Sequence, residues 1–293
     1  MRDRNSAMAE KYDVLVVGCG NAGIAAALTL AMENKKVLIV EKNNVPGGCA
    51  TSFVRGRFEF DPSLHELCGA SDENGGGNVA RLFSEAGIKC DWVRIPDCFR
   101  VISRYSDQGV MDATMPSGRK AFTDAMEDYV PGSRRKMDLL FDLMENVIEG
   151  IAAISSGERS VRVLMGKYGN MIRTGSYSVS RVFEAMDIPQ RCRDILYTYW
   201  MYLGVDAEHL SFIHYATLLY TYIVGGSCIP AHTSHQMSVA LTEKFRSLGG
   251  EIWYNCTTES FLFKDGRCCG ARTTMGDVYA GAVLANLNPS TVY

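Results

Sequence analysis

Two short apolar runs, residues 14–17 and 37–40, flank a segment that is apolar at most positions but interrupted by three glycines. Four consecutive Val, Leu or Ile positions bounded by glycine or charge predict a buried strand, and 24–32, free of glycine and proline, predicts a helix between the two. Residues 14–32 carry no charge, and on length alone they approach the ~20 apolar residues that span a bilayer. The glycines divide that stretch into two elements, so the pattern predicts strand, glycine turn, helix and second strand. Further on, 51–54 and 57–61 flank Arg55-Gly56 and read as a hairpin.

From about residue 70 to 226 the periodicity changes. Leu140, Met144, Val147, Ile151 and Ile154 recur at helical spacing within 137–154. Residues 195–205 and 212–224 concentrate Tyr197, Tyr199, Trp200, Tyr202, Phe212, Tyr215, Tyr220 and Tyr222. Aromatics of this kind predict core helices of an inserted section; the competing reading makes them walls of an apolar substrate tunnel or a membrane-facing lip. Residues 212–224 are too few to cross a bilayer.

The earlier pattern then resumes. Thr233 or Ser234 caps a helix with Met237, Leu241, Phe245 and Leu248 on its inner face, and Gly249-Gly250 ends it. Strands follow at 251–255, 260–264, 268–274 and 278–285, with Asp265-Gly266 as a hairpin turn. The expectation is an α/β protein: a Rossmann-like domain in two pieces, 1–75 and 230–293, with an inserted, mainly helical domain over 76–229.

The glycine turn carries the chemistry. Gly18, Gly20 and Gly23 set out G-x-G-x-x-G between strand and helix, with Asn21 and Ala22 in the variable positions. The first glycine permits a tight turn, the second lets backbone approach a pyrophosphate without a Cβ between them, and the third lets helix and strand pack closely. The helix that follows points its positive end at the phosphates. Glu41, followed by Lys42, closes the second strand about the 20 residues further on where an acid accepts hydrogen bonds from a ribose. Gly47 and Gly48 form a second stretch of bare backbone near the same ligand.

Composition acts by exclusion. With 47% hydrophobic residues in 293, the chain can bury a sizeable core and is long enough for two domains. A formal net charge of -3 removes nucleic acid as the expected partner. Residues 1–11 lack the apolar core of a secretory signal, so the expected compartment is the cytoplasm and the ten cysteines are expected as free thiols. None forms C-x-x-C, and Cys19 and Cys49 fall in the nucleotide loops as small side chains. His232 and His235 read as polar residues at a helix start, since two histidines without a third ligand do not make a metal site.

Gly18-Cys19-Gly20-Asn21-Ala22-Gly23, then Glu41-Lys42 and Gly47-Gly48, resembles the start of FAD-dependent oxidoreductases. Phe58-Glu59-Phe60-Asp61 with Leu64-His65 resembles, within them, the phytoene desaturase, carotenoid isomerase and retinol saturase group. Tyr222-Ile223-Val224-Gly225-Gly226 is similar to that group's Tyr-Pro-x-Gly-Gly, and 283–293 to its Val-Ile-Ser-Asn-Ala-Asp-Pro segment; Ser63 and Ile223 depart from the pattern.

The resemblance implies FAD as cofactor, a glutathione reductase-type fold, and hydride movement between flavin and a hydrophobic, conjugated or isoprenoid-like substrate; the aromatic stretches, read as a membrane-facing lip, carry the expectation of peripheral membrane contact. An amine-oxidising flavoenzyme is the weaker alternative. It places the backbone of Thr258 beside the adenine and makes His65 the candidate polar group near the flavin. Members of the group continue well past the position of Tyr293. The sequence reading therefore also carries the expectation of a C-terminally truncated or split enzyme that needs a complementary polypeptide.

Overall fold

The computed structural model describes residues 12–70, 77–104 and 109–292. Residues 1–11, the expected domain boundary at 75/76 and Tyr293 lie outside the described residues. The chain divides into two compact units, one holding described residues 12–67, 77–93 and 229–292, the other 68–70 and 94–228 apart from 105–108.

The first unit is built on a six-stranded sheet in the order Glu251–Trp253, Val37–Val40, Tyr12–Val17, Gly276–Ala285, Arg267–Thr273 and Thr258–Lys264. Every residue of Val37–Val40 is buried, because both faces of the strand are covered, which is why the run is continuously apolar rather than alternating. Val16, Val37 and Ile39 face the helices Asn21–Met32, Asn78–Ala86 and Ser234–Ser247, packing with Ile24, Leu28, Phe83 and Phe245. Leu15, Val17, Leu38 and Val40 project to the other side, onto Cys256 and onto Ala271, Val278 and Ala280 of the antiparallel strands Arg267–Thr273 and Gly276–Ala285.

Strand direction decides where a ligand can sit. The strand Tyr12–Val17 runs parallel to both neighbours, with Val17 opposite Val40 on one side and Ala285 on the other. Trp253 in turn lies opposite Val40. Four carboxyl-terminal strand ends therefore line up, so Gly18, Glu41, Tyr254 and Asn286 leave the sheet along one edge, where open α/β sheets bind their ligands.

Three sequence expectations are corrected here. Residues 77–93, expected in the inserted domain, pack in the first unit, since Phe83 and Ala86 are buried with Ile24 and Leu28. Leu248, expected on the inner face of its helix, is 41% exposed, because the helix ends at Ser247 and Leu248 sits at its C-cap. Thr233 occupies the N-cap without a side-chain bond. Asp61, far away in sequence, supplies the cap: its Oδ1 accepts from the Ser234 N–H at 3.0 Å and from Ser234 Oγ at 2.5 Å.

The second unit pairs Asp97–Ser103 antiparallel with Met111–Pro116 beside a helical cluster. Its long helix Arg134–Ser155 buries Leu140, Met144 and Val147, while Ile154 emerges at 39% exposure. The aromatic stretch divides. Tyr199, Phe212 and Tyr215 are buried in the core, whereas Trp200 and Tyr202 are 40% and 47% exposed. Among the described residues, no helix is long and apolar enough to cross a membrane.

Candidate dinucleotide site

Each glycine of the turn has a measurable reason to be there. Gly18 adopts φ +99°, a conformation side chains disfavour, and a Cβ on it would lie 2.7 Å from the Asn286 carbonyl oxygen. Gly23 has the tightest surroundings, because its Cβ would fall 2.3 Å from the Gly18 carbonyl oxygen. Gly20 differs from both: its backbone is ordinary (φ -74°, ψ 166°), and a Cβ would meet only the Asn286 side-chain nitrogen, at 3.0 Å. Gly20 is thus the glycine whose smallness serves the cleft more than the protein. The helix starts at Asn21, earlier than the periodicity indicates, and no side chain caps its N-terminus, so backbone N–H groups and the positive end of the helix face an incoming anion.

Glu41 leaves the second strand at the same edge and is only 6% exposed. Its backbone is clamped from both sides, with its N–H donating to Trp253 O and its C=O accepting from the Cys256 N–H, each at 2.9 Å. Its carboxylate does a job not visible in the sequence. Oε2 accepts from the Cys19 N–H at 2.7 Å and Oε1 from the Asn43 N–H at 2.8 Å, so the acid holds the glycine turn in place. Each oxygen keeps a second lone pair for a ligand hydroxyl.

The second glycine pair joins the first. The Gly47 N–H donates to Cys19 O at 2.8 Å, and a Cβ on Gly48 would sit 3.1 Å from the Gly20 Cα. Between them lies a cleft of ≈ 650 Å³, a normal size for a ligand site. Gly18, Gly20, Asn21, Ala22, Glu41, Lys42, Gly47, Gly48 and Thr258 all line it.

The structure brings these residues together and leaves others out. Gly23 supports the turn from behind without reaching the cleft wall. His65 is exposed and outside the lining, although Ser63 and Leu64 are in it. Asn286 was missed as a site residue: its backbone passes over Gly18 and its side chain over Gly20. The available signal was its position directly after a strand parallel to the first, which puts both strand ends side by side. Asn43 and Cys256 join the wall through backbone contacts that carry no sequence signature.

No disulfide links any of the ten cysteines. Cys19 is fully buried, and that burial, reinforced by the Glu41 carboxylate, pushes its thiol up to about 12. Thiolate is the reactive form, so Cys19 is inert at neutral pH, whereas Cys49 stands exposed on the cleft wall. Alkylation of the native protein at pH 8 is expected to label Cys49 and spare Cys19, with Cys19 reacting only after denaturation. Peptide mass mapping checks this, and prompt native labelling of Cys19 would contradict the burial described.

Fold and cleft together give the first unit the Rossmann type of architecture. Residues 16–86 match the family described as NAD(P)-binding Rossmann-like domain. The chain is similar to all-trans-retinol 13,14-reductase of Rattus norvegicus, 24% identical over 302 residues, covering 98% of this chain and 49% of that protein. It is likewise similar to prolycopene isomerase 2 of an Oncidium hybrid cultivar, 24% identical over 295 residues, covering 95% and 48%. Among solved structures, an oxidoreductase from Methanosarcina mazei has the same fold, with a TM-score of 0.66 at 17% identity over 94% of this chain and 58% of that one. The chain spans about half the length of the curated relatives it matches.

Proposed function

We propose that this cleft holds the ADP half of FAD, and that the chain is the nucleotide-holding portion of an FAD-dependent oxidoreductase acting on a hydrophobic, conjugated or isoprenoid-like molecule. One observation carries the reading. The uncapped helix start after Gly20, the buried Glu41 and the Gly47 and Gly48 pair converge on a single cleft at the carboxyl edge of the sheet.

The lining fits that half of the cofactor. Bare backbone at Gly20 and Gly48 leaves room for a pyrophosphate, whose charge is met by the helix N-terminus and Lys42. Glu41 accepts from the ribose hydroxyls, and the strand beginning at Thr258 flanks the adenine. Bound there, the flavin supplies hydride acceptance or donation, while the protein supplies position, dielectric and exclusion of water. The named substrates of the relatives, retinol and prolycopene, are conjugated isoprenoids, which supports that substrate class for this chain.

Gly20→Val is the decisive variant, because valine suits the backbone at that position while its side chain enters the space of the pyrophosphate. FAD affinity, followed by flavin fluorescence, is expected to fall at least ~100-fold, about 2.7 kcal/mol, with the circular dichroism spectrum unchanged. Equal affinity in wild type and variant would sink the proposal.

A further inference from the structure

Ser238 lies on the helix Ser234–Ser247, far in sequence from the glycine turn, and is fully buried. Its hydroxyl is 2.6 Å from Asn21 Oδ1. It also packs against the second glycine loop, since a Cβ on Gly47 would come within 2.9 Å of Ser238 Oγ. One buried hydroxyl therefore touches both loops of the cleft.

We infer that Ser238 is a positioning residue for nucleotide binding, fixing the Asn21 side-chain amide so that its Nδ2 donors face the phosphates. The inference rests on the proposed ADP site. An asparagine amide has an acceptor at one end and two donors at the other, and its rotation by a half turn exchanges attraction for repulsion of a phosphate. Asn21 is at the first position of the helix and lines the cleft, so the orientation of its amide matters to an anion there. By donating to Oδ1, Ser238 occupies the acceptor end on the protein side and leaves the donor end for the ligand. The amide is then preorganised, and no rotamer freedom is lost when the nucleotide arrives. The hydroxyl itself does not line the cleft; it acts through Asn21.

The test compares ADP with adenosine, which has no phosphate, by calorimetric titration of the wild type, Ser238→Ala, Asn21→Ala and the double variant. Ser238→Ala is expected to weaken ADP about five- to tenfold and leave adenosine within twofold. In the Asn21→Ala background, the Ser238→Ala change is expected to cost no further ADP affinity, because the group it positions is gone. Equal weakening of ADP and adenosine, or full additivity of the two substitutions, would assign Ser238 a purely structural part and overturn the inference. Unchanged ADP binding in Ser238→Ala would overturn it as well. Failure of the wild type to bind ADP at all would instead strike the nucleotide assignment on which it rests, and the inference would fall with it.

Discussion

Replacing Gly23 with alanine is expected to damage the fold of the first unit itself, not merely its ligand affinity. The new Cβ would stand 2.3 Å from the Gly18 carbonyl oxygen and 3.3 Å from the Asn286 Cβ. The first of these atoms is backbone, held in place because the Gly18 N–H donates to Val40 O at 2.8 Å. Relief requires the helix Asn21–Met32 to shift off the sheet, where Ile24 and Leu28 are fully buried. Overpacking of this kind costs about 3 kcal/mol, which lowers the thermal midpoint by about 5 °C in a chain of this size. ADP binding should be lost in parallel, because the turn that shapes the cleft moves with the helix. Thermal unfolding with and without ADP measures both, and an unchanged midpoint would show that the close approach of Gly23 to Gly18 is not maintained in solution. The contrast with Gly20→Val is the informative part: similar chemistry three residues apart, one variant failing in the fold and the other at the ligand.

Glu41→Ala is expected to have the second large effect, and on two quantities at once. Its carboxylate accepts from the Cys19 and Asn43 amides while nearly excluded from water. Asn43 is exposed and can turn to solvent, but the Cys19 amide is buried and would be left without a partner. The expected loss of stability is about 2–3 kcal/mol. ADP affinity should fall about 100-fold, since the ribose acceptors go and the turn loosens. The same carboxylate governs selection between nucleotides. A 2′-phosphate would meet it at close range, so the wild type should prefer ADP to 2′-phosphorylated ADP, and the preference should shrink in Glu41→Ala because the like-charge repulsion is gone. Calorimetric titration of both nucleotides against both proteins decides it; equal wild-type affinities would remove Glu41 from the ribose.

The two predictions depend on different kinds of information. Gly18, Gly20, Gly23 and Glu41 were legible because their roles follow from short-range rules: a turn that needs glycine, a helix start after it, an acid at the end of the next strand. The elements around them were legible for the same reason, and the strand Val37–Val40 has the bounds its apolar run predicts. The Asp265-Gly266 turn is another local case, with both residues at positive φ between Lys264 and Arg267, which pair.

Contacts between distant segments were not legible. Asp61, not Thr233, caps the helix Ser234–Ser247, because a helix end needs an acceptor in space and any neighbouring segment can deliver one. The helix Asn78–Ala86 joined the first unit for a similar reason. Its apolar face is anonymous in sequence, and only packing shows that Phe83 joins the cluster that holds Ile24 and Leu28. Leu248 and Ile154 fit the periodicity of their helices yet emerge at the ends, since periodicity gives a face but not where its cover stops.

The sequence by itself determined the strand, glycine turn, helix and acid at the start of the first unit, since each depends on steric and hydrogen-bonding rules acting over a few residues. Only the tertiary structure decided which other groups complete the cleft. Asn286 arrives over the turn because its strand is parallel to the first, and Ser238 reaches Asn21 because its helix packs beside the first helix. Those placements are set by how buried faces of remote segments share one sheet, and no local spacing encodes them.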